Sequence, residues 1–199
     1  MSQSPQNGLL FPAGGYRRLK TFKLTRLIYD ITVRFVRLYV DKRSRTCDQM
    51  VQAARSGVQN IIEGSVDAAT SRKIELKLYT IALGSITELY ADYQDYLRQN
   101  NAPEWTKDSI LYQEFIKRKI SAAAEFREFI AWAESISSNT QNSAVPYKSI
   151  LVANAALLLI NSARYLLKRQ IESKAETFLN DGGFTERMFQ KRSNNRKNS

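Results

Sequence analysis

Apolar residues recur at steps of three and four along most of the chain, which is the spacing of one face of an α-helix. This spacing predicts five helices, which span about 20–40, 47–64, 71–100, 107–135 and 146–179. The 8 glycines and 4 prolines are too few for the many turns of an all-β fold. The sequence therefore predicts an all-α protein built as a helical bundle.

The second predicted helix carries small residues on its inward side. Its inward positions alternate by four and three residues and are Met50, Ala54, Gly57, Ile61 and Gly64. A glycine inside a helix costs about 1 kcal/mol relative to alanine, and a tight helix contact would offset that cost. Gly84 and Ser85 form a second small surface on the third helix. We therefore expect Gly57 to face Gly84 and Ser85 where these two helices pack.

The fifth predicted helix is the most apolar, and its longest uncharged run is Ser149–Ala163. This run is shorter than the ~18 apolar residues that a membrane span needs, so we expect a buried helix and no membrane partner. The polar segment Ser137–Ser143 marks the best internal boundary. The predicted organisation is a flexible leader at 1–15, a four-helix bundle at 16–137, a C-terminal suffix helix at 146–189 and a disordered basic tail at 190–199.

Positive charge is concentrated near the two ends of the chain. The net charge is +11, with +8 in residues 16–45 and +4 in residues 186–199, so the remainder sums to about −1. A basic surface attracts polyanions and speeds their association. The sequence therefore predicts that RNA or DNA binds at the basic ends. The candidate contact residues are Arg17, Arg18, Lys20, Lys23, Arg37, Lys42, Arg43, Arg45, Arg187, Lys191, Arg192 and Arg196.

The residue types that most enzymes use are scarce in this chain. It has no histidine and only one cysteine, Cys47, which excludes Ser-His and Cys-His dyads, histidine metal ligands and a thiolate zinc site. No glycine-rich phosphate loop occurs. Glu63, Glu75 and Glu88 lie on inner helices, but the Glu-x-x-His spacing of helical di-metal sites is missing. We therefore predict no catalytic residues, no metal site, no enzymatic activity and no cofactor.

Two features of the sequence favour a cytoplasmic location. A single cysteine cannot form an internal disulfide, which fits a reducing compartment. The first residues lack a charged segment followed by an apolar run, the pattern of an export leader.

Four tyrosines on the third helix offer a second route to nucleic acid. These residues are Tyr79, Tyr90, Tyr93 and Tyr96. Tyrosine rings can stack on bases of a single strand. Aromatic residues at helical spacing more often belong to a core or an interface, so both interpretations stay open from the sequence.

Two motifs in the second and third helices resemble those of a known family. The first covers 49–64 and reads Gln49-x-x-x-Ala53-Ala54-Arg55-Ser56-x-x-x-Asn60-Ile61-x-Glu63-Gly64, and the second reads Ile81-Ala82-x-Gly84-Ser85-x-x-Glu88-Leu89. They are similar to the signature helix and the third-helix motif of four-helix-bundle proteins encoded by intervening sequences in bacterial 23S ribosomal RNA genes. The accessory variability protein of diversity-generating retroelements belongs to the same superfamily.

The C-terminal part resembles a narrower group, the "four helix bundle suffix domain" subgroup. The resemblance covers 146–192 and rests on Asn154-Ala155-Ala156-Leu157, on Tyr165-Leu166-Leu167-x-Arg169-Gln170-Ile171-Glu172, and on Phe178-Leu179-x-x-Gly182-Gly183-Phe184-x-Glu186-Arg187-Met188. The chain departs from the usual family pattern at Cys47-Asp48, at Gly57-Val58, where an Ile-Pro pair is frequent, and in its long fifth helix.

The resemblance implies an antiparallel up-and-down four-helix bundle with an additional long C-terminal helix. Characterised relatives are homopentamers with a basic surface, and the retroelement relative is a non-catalytic partner of a reverse transcriptase and its RNA. We therefore expect a homo-oligomer, with a pentamer favoured by the resemblance. The expected function is a non-catalytic oligomeric scaffold that binds nucleic acid, RNA favoured, or a nucleic-acid enzyme. The alternative is a protein–protein interaction adaptor that binds a protein partner and no nucleic acid.

Overall fold

The structure, a computed structural model, describes residues 15–136, 147–181, 188–189 and 192–193. Within these residues all the regular secondary structure is helical. After a short 3-10 turn at Tyr16–Arg18, the helices are α1 (Lys20–Tyr39), α2 (Thr46–Asp67), α3 (Arg72–Gln99), α4 (Ile110–Arg118), α5 (Ala123–Ile136) and α6 (Tyr147–Asp181). The all-α fold with a long C-terminal helix is confirmed.

Some predicted segments fall on parts of the chain that the structure does not describe. The leader at 1–15 is described only at its last residue, and the boundary at 137–143 lies wholly outside the described residues. Of the tail at 190–199, the structure describes residues 192 and 193, which are helical. The leader, the boundary and the disorder of the tail therefore stay predictions.

Four helices form the bundle, and the fourth of them is α6. α1, α2 and α3 follow one another as antiparallel neighbours, and α6 runs antiparallel to α1 and α3 and packs against both. Thr21, near the start of α1, donates a hydrogen bond to the side-chain oxygen of Gln170 in the second half of α6, at 2.7 Å. Arg164 of α6 lies over the ring of Tyr90 on α3, 4.8 Å from its centroid. The long C-terminal helix is therefore part of the up-and-down bundle.

The segment predicted as one helix over 107–135 forms two helices, α4 and α5. Lys119 ends α4 in the left-handed conformation, with a φ of 50°, and the buried Ile120 follows it. A carboxylate oxygen of Glu125 then accepts the backbone N–H groups of Ser121 and of the next residue, at 2.7 and 3.1 Å. These hydrogen bonds lower the pKa of Glu125. The prediction of an unbroken helix is wrong because Glu125 caps the start of α5 at this point.

α4, α5 and the connection before them lie on the outside of the α1–α6 pair. Phe115 of α4 and Phe129 of α5 meet edge to face, with ring centroids 5.0 Å apart. The backbone N–H of Trp105 donates to the side-chain oxygen of Asn154 on α6 at 2.7 Å, and the Asn154 amide donates to the carbonyl of Pro103 at 3.2 Å. Asn154 is buried, so these bonds satisfy an amide that would otherwise be costly to desolvate. These hydrogen bonds hold the segment that follows α3 against α6.

α2 and α3 pack closely against each other at two glycines of α2. A Cβ atom on Gly57 would lie 2.5 Å from the Cδ1 atom of Ile86, and a Cβ on Gly64 would lie 3.1 Å from the ring of Tyr79. Both glycines are buried. The predicted role of Gly57 in a tight contact is confirmed, and the residue that faces it is Ile86.

The predicted position of Gly84 is wrong. Gly84 is exposed, and a Cβ there would meet no atom of a described residue within 4 Å. Successive residues of a helix are rotated by about 100°, so Gly84 points away from the side of α3 on which Ile86 contacts α2. Ser85 does reach α2, since its hydroxyl lies 2.9 Å from that of Ser56.

The middle of α6 forms the centre of the core. Every residue from 153 to 160 is buried. Among the described residues α6 is the one helix that is long and apolar enough to cross a membrane, and 67% of that apolar window is buried inside the protein. The apolar surface of α6 is thus largely covered by the other helices of the bundle.

A buried charged group ties the second half of α6 to the start of α3. Glu75 is 1% exposed, and its carboxylate lies 3.2 Å from Arg72 and 2.7 Å from Lys174 of α6. Tyr79 lies one turn further along α3, and burial raises its pKa to about 12, with a further contribution from the negative charge of Glu75. The two cations compensate the buried carboxylate, which would otherwise be costly to remove from water.

Replacing each of two glycines by alanine separates packing from helix propensity. Gly84→Ala is expected to raise the free energy of unfolding by about 0.5–1 kcal/mol, because alanine favours a helix and the site is open. Gly57→Ala gains the same propensity but overpacks against Ile86, so it should be less stable than Gly84→Ala by about 1–3 kcal/mol. Urea unfolding at low protein concentration measures both, and equal effects would contradict the close α2–α3 contact.

Glu75→Gln is expected to lower the free energy of unfolding by about 2 kcal/mol, because it leaves Arg72 and Lys174 without their shared anion. The matched control is Glu63→Gln, at an exposed position of α2, which should change stability by less than about 0.5 kcal/mol. Thermal and urea unfolding report both values. A neutral Glu75→Gln would show that the buried carboxylate does not hold α6 to α3.

Candidate nucleic-acid interface

The described part of the N-terminal positive region forms two clusters at opposite ends of α1. The N-terminal basic cluster consists of Arg17, Arg18, Lys20 and Lys23, and the loop basic cluster consists of Arg37, Lys42, Arg43 and Arg45. All eight side chains are exposed. A helix rises about 1.5 Å per residue, so Lys20 and Arg37 lie about 25 Å apart along α1. The single basic segment of the sequence is therefore two separate surfaces.

The loop basic cluster is partly neutralised. The guanidinium of Arg43 lies 3.2 Å from the carboxylate of Asp41, and its backbone N–H donates to the same carboxylate at 3.0 Å. These two contacts, the backbone one first, lower the pKa of the exposed Asp41. Arg37, Lys42 and Arg45 make no ion pair with a described residue. Three uncompensated cations remain at this end of α1.

The N-terminal basic cluster is not neutralised by any described residue. Its four side chains make no ion pair within the described ranges, and they occupy the 3-10 turn and the first turn of α1. Arg17 lies 5.9 Å from the ring centroid of Tyr16, which leaves its positive charge uncompensated. Four uncompensated cations therefore lie at this end of α1, against three at the other end.

Two further cations, Lys168 and Arg169, lie at this end of the bundle. They directly precede Gln170, which bonds to Thr21 between Lys20 and Lys23. Both are exposed, and neither makes an ion pair with a described residue. The sequence alone does not place them beside the N-terminal basic cluster, because they belong to a different helix and only the antiparallel pairing of α6 with α1 brings them to the same end of the bundle. The N-terminal end therefore presents cations from two helices.

The C-terminal candidates are described only in part. Arg187, Lys191 and Arg196 lie outside the described residues, and Arg192 is exposed. Their relation to the N-terminal basic cluster stays a prediction.

The tyrosines of α3 do not form a stacking surface. Tyr79 and Tyr93 are buried, and the hydroxyl of Tyr93 donates to Thr32 on α1 at 3.1 Å. Tyr90 and Tyr96 are half-buried, and burial raises the pKa of each. These rings belong to the core and its edge, so the base-stacking interpretation is wrong for Tyr79 and Tyr93.

The carboxylates considered as metal ligands do not converge. Glu75 is buried in its ion pairs, whereas Glu63 and Glu88 are exposed. In the part of the chain that the structure describes, no group of three or more His, Cys, Asp or Glu side chains is placed to hold a metal ion.

A groove lies between α1, α5 and α6. Its volume is about 390 Å³, and its floor includes Ile31, Phe126 and Ile130. Leu38 lines one side and is 52% exposed. Charged residues also line it, namely Asp30, Arg34, Arg127 and Lys148. Lys148 pairs with Glu134 at 2.7 Å, and Asp30 pairs with Arg26 at 3.7 Å. Arg34 and Arg127 make no ion pair with a described residue, so an apolar groove with these two cations suits an acidic amphipathic ligand.

Comparison with known proteins gives no match. No protein-family model, no curated protein and no solved structure is significantly similar to this chain.

Proposed function

We propose that the protein is a non-catalytic, oligomeric scaffold that binds nucleic acid, RNA favoured, or an enzyme that acts on nucleic acid. The observation that carries the proposal is the N-terminal basic cluster, whose four exposed cations have no acidic partner among the described residues. Lys168 and Arg169 add two exposed cations on a second helix at the same end of the bundle. The whole chain has a net charge of +11, which adds a long-range attraction for polyanions.

The chemistry of the cluster favours contacts with phosphates over contacts with bases. Arginine and lysine side chains on exposed turns bind phosphate oxygens through charge-assisted hydrogen bonds. The tyrosines of α3, which the sequence offered for stacking on bases, lie in the core or at its edge. We therefore expect binding with little sequence preference and a strong dependence on salt.

The preference for RNA and the oligomeric state rest on the resemblance of 49–64 and 81–89 to the intervening-sequence family. That family implies a homopentamer with a basic surface. Several copies of one basic cluster on a single assembly would bind a long polyanion more tightly than one copy does.

Reversing the charges of each cluster tests which surface binds. Changing Arg17, Arg18, Lys20 and Lys23 to Glu is expected to weaken RNA binding at least roughly tenfold at moderate salt. The matched control changes Arg37, Lys42, Arg43 and Arg45 to Glu. This variant has the same net charge as the first one and should weaken RNA binding less. Fluorescence anisotropy with a labelled single-stranded RNA, and with DNA of the same sequence, measures both.

Salt dependence measures how many phosphates are contacted. For wild type the logarithm of the affinity should fall linearly with the logarithm of salt, and the slope should be shallower by about 0.7 for each phosphate contact that the reversal removes. No binding of wild type at low salt, or equal losses in the two variants, would contradict the proposed surface.

The groove between α1, α5 and α6 favours the second candidate function, a protein-interaction adaptor. An acidic amphipathic helix of a partner would place apolar side chains on Ile31 and Ile130 and acidic ones against Arg34 and Arg127. This surface is separate from the N-terminal basic cluster, so charge reversal of that cluster should leave the groove intact.

An anionic, apolar dye reports on the groove directly. Anilinonaphthalene sulfonate should fluoresce when it binds wild type, and Leu38→Glu should weaken its binding by roughly tenfold through charge repulsion and loss of apolar contact. Leu179→Glu is the control, because Leu179 is 82% exposed and lies outside the groove. Equal effects of the two substitutions would argue against a binding groove at this position.

A further inference from the structure

The outer face of α3 is an exposed surface that no described helix covers. We define it by Lys73, Lys77, Ile81, Gly84, Glu88, Asp92 and Asp95. All are exposed except Asp92, which is half-buried. Ile81 is 41% exposed, and the adjacent Ile74 is 46% exposed. α3 has 28 residues, so this face is about 42 Å long.

Charge on this face is divided between its two halves. Lys73 and Lys77 lie in the first half of α3, and Glu88 and Asp92 lie in the second. None of these four makes an ion pair with a described residue, whereas Asp95 pairs with Arg98 at 2.9 Å. Partial burial, followed by the charges of Asp95 and Glu88, raises the pKa of Asp92.

This order of charges does not stabilise the isolated helix. The dipole of a helix disfavours a cation in the first turn, where Lys73 lies. Two lysines separated from Glu88 and Asp92 by about three to five turns also gain no i,i+3 or i,i+4 pairing. A surface with a basic half and an acidic half is complementary to an antiparallel copy of itself.

We propose that a second copy of this chain docks on the outer face of α3, with the two α3 helices antiparallel and a two-fold axis at Gly84. In such a pair, a residue that lies n positions before Gly84 in one copy is level with the residue that lies n positions after Gly84 in the other copy. Lys77 is then level with Ala91, between Glu88 and Asp92. Lys73 is level with Asp95.

The rise of a helix sets the spacing of these pairs. Along the axis, Lys77 is displaced by about 1.5 Å from Asp92 and by about 4.5 Å from Glu88 of the other copy. Both offsets are within the reach of a lysine side chain. The two-fold axis repeats each pair, so Lys77 of each copy meets Glu88 and Asp92 of the other, and Lys73 of each copy meets Asp95.

Gly84 allows the two helices to meet. It lies at the centre of the face, and within the described ranges no atom lies within 4 Å of the position where a Cβ would be. Two facing glycines let helix axes approach at the short end of the 8–10 Å range. That approach brings the two copies of Ile81 into the contact beside the axis, where each covers apolar surface that is exposed in the single chain.

This pairing is a different mode of self-association from the homopentamer that the resemblance implies, and it does not rest on nucleic-acid binding. A two-fold contact uses the same patch on both chains, whereas a ring of five needs two different patches. The mass of the assembly and its response to charge reversal therefore distinguish the two.

Charge exchange across the axis tests the pairing. Wild type should have twice the chain mass of 22.8 kDa in light scattering and sedimentation at high protein concentration. Lys73→Glu with Lys77→Glu, and separately Glu88→Lys with Asp92→Lys, should each weaken the dimer at least roughly tenfold, because like charges then face each other. A 1:1 mixture of these two variants should form a heterodimer, and the chain with all four changes should dimerise again.

Gly84→Leu provides an independent test that leaves the fold intact. The site is open in the single chain, so helicity and the melting temperature of the monomer should not fall. The side chain would separate the two α3 helices and weaken the dimer at least roughly tenfold. The control is Ser135→Leu, at an exposed position of α5.

A wild type that stays monomeric, or charge-reversed variants that stay dimeric, would overturn the proposal. So would a fivefold mass that none of the α3 substitutions changes, or a mixture that fails to form the heterodimer. Anisotropy with single-stranded RNA on the same variants shows separately whether the N-terminal basic cluster binds, so failure of one proposal is not read as failure of the other.

Discussion

The close approach of α2 and α3 is the contact on which the rest of the bundle depends. Gly57 and Gly64 have no side chains at the positions where Ile86 and Tyr79 pack, so the two helices can lie close together. This position of α3 directs Tyr79 and Tyr93 into the core and leaves a slot between α1 and α3. The slot is filled by the apolar middle of α6.

The course of α6 links the fold to both candidate binding surfaces. Because α6 is antiparallel to α1, its second half brings Lys168 and Arg169 to the N-terminal basic cluster. Its first half forms one wall of the groove with α1 and α5. The ion pair of Lys174 with the buried Glu75 holds this second half in place. α4 and α5 then cover the outside of α1 and α6, whereas no helix that the structure describes covers the outer face of α3.

Periodicity was sufficient to predict the helices and the tight side of α2, because both depend on residues that are near one another in sequence. It was not sufficient to place Gly84, since which side of α3 meets α2 depends on the whole core. The break at Lys119 was missed because the apolar spacing continues across it, while a single carboxylate, Glu125, caps the next helix. The contribution of Lys168 and Arg169 was missed because it arises from the packing of two helices that lie far apart in the chain.

Native-state hydrogen exchange tests most directly whether α6 completes the bundle. If it does, the amides of residues 153–160 should exchange only through global unfolding, with the same free energy as the amides around Gly57 in α2. The end of α6 beyond Lys174 should exchange faster, because its side chains are more exposed. Exchange of 153–160 through a smaller opening, while α1, α2 and α3 stay protected, would show that α6 is an addition to an independent bundle and would contradict the account.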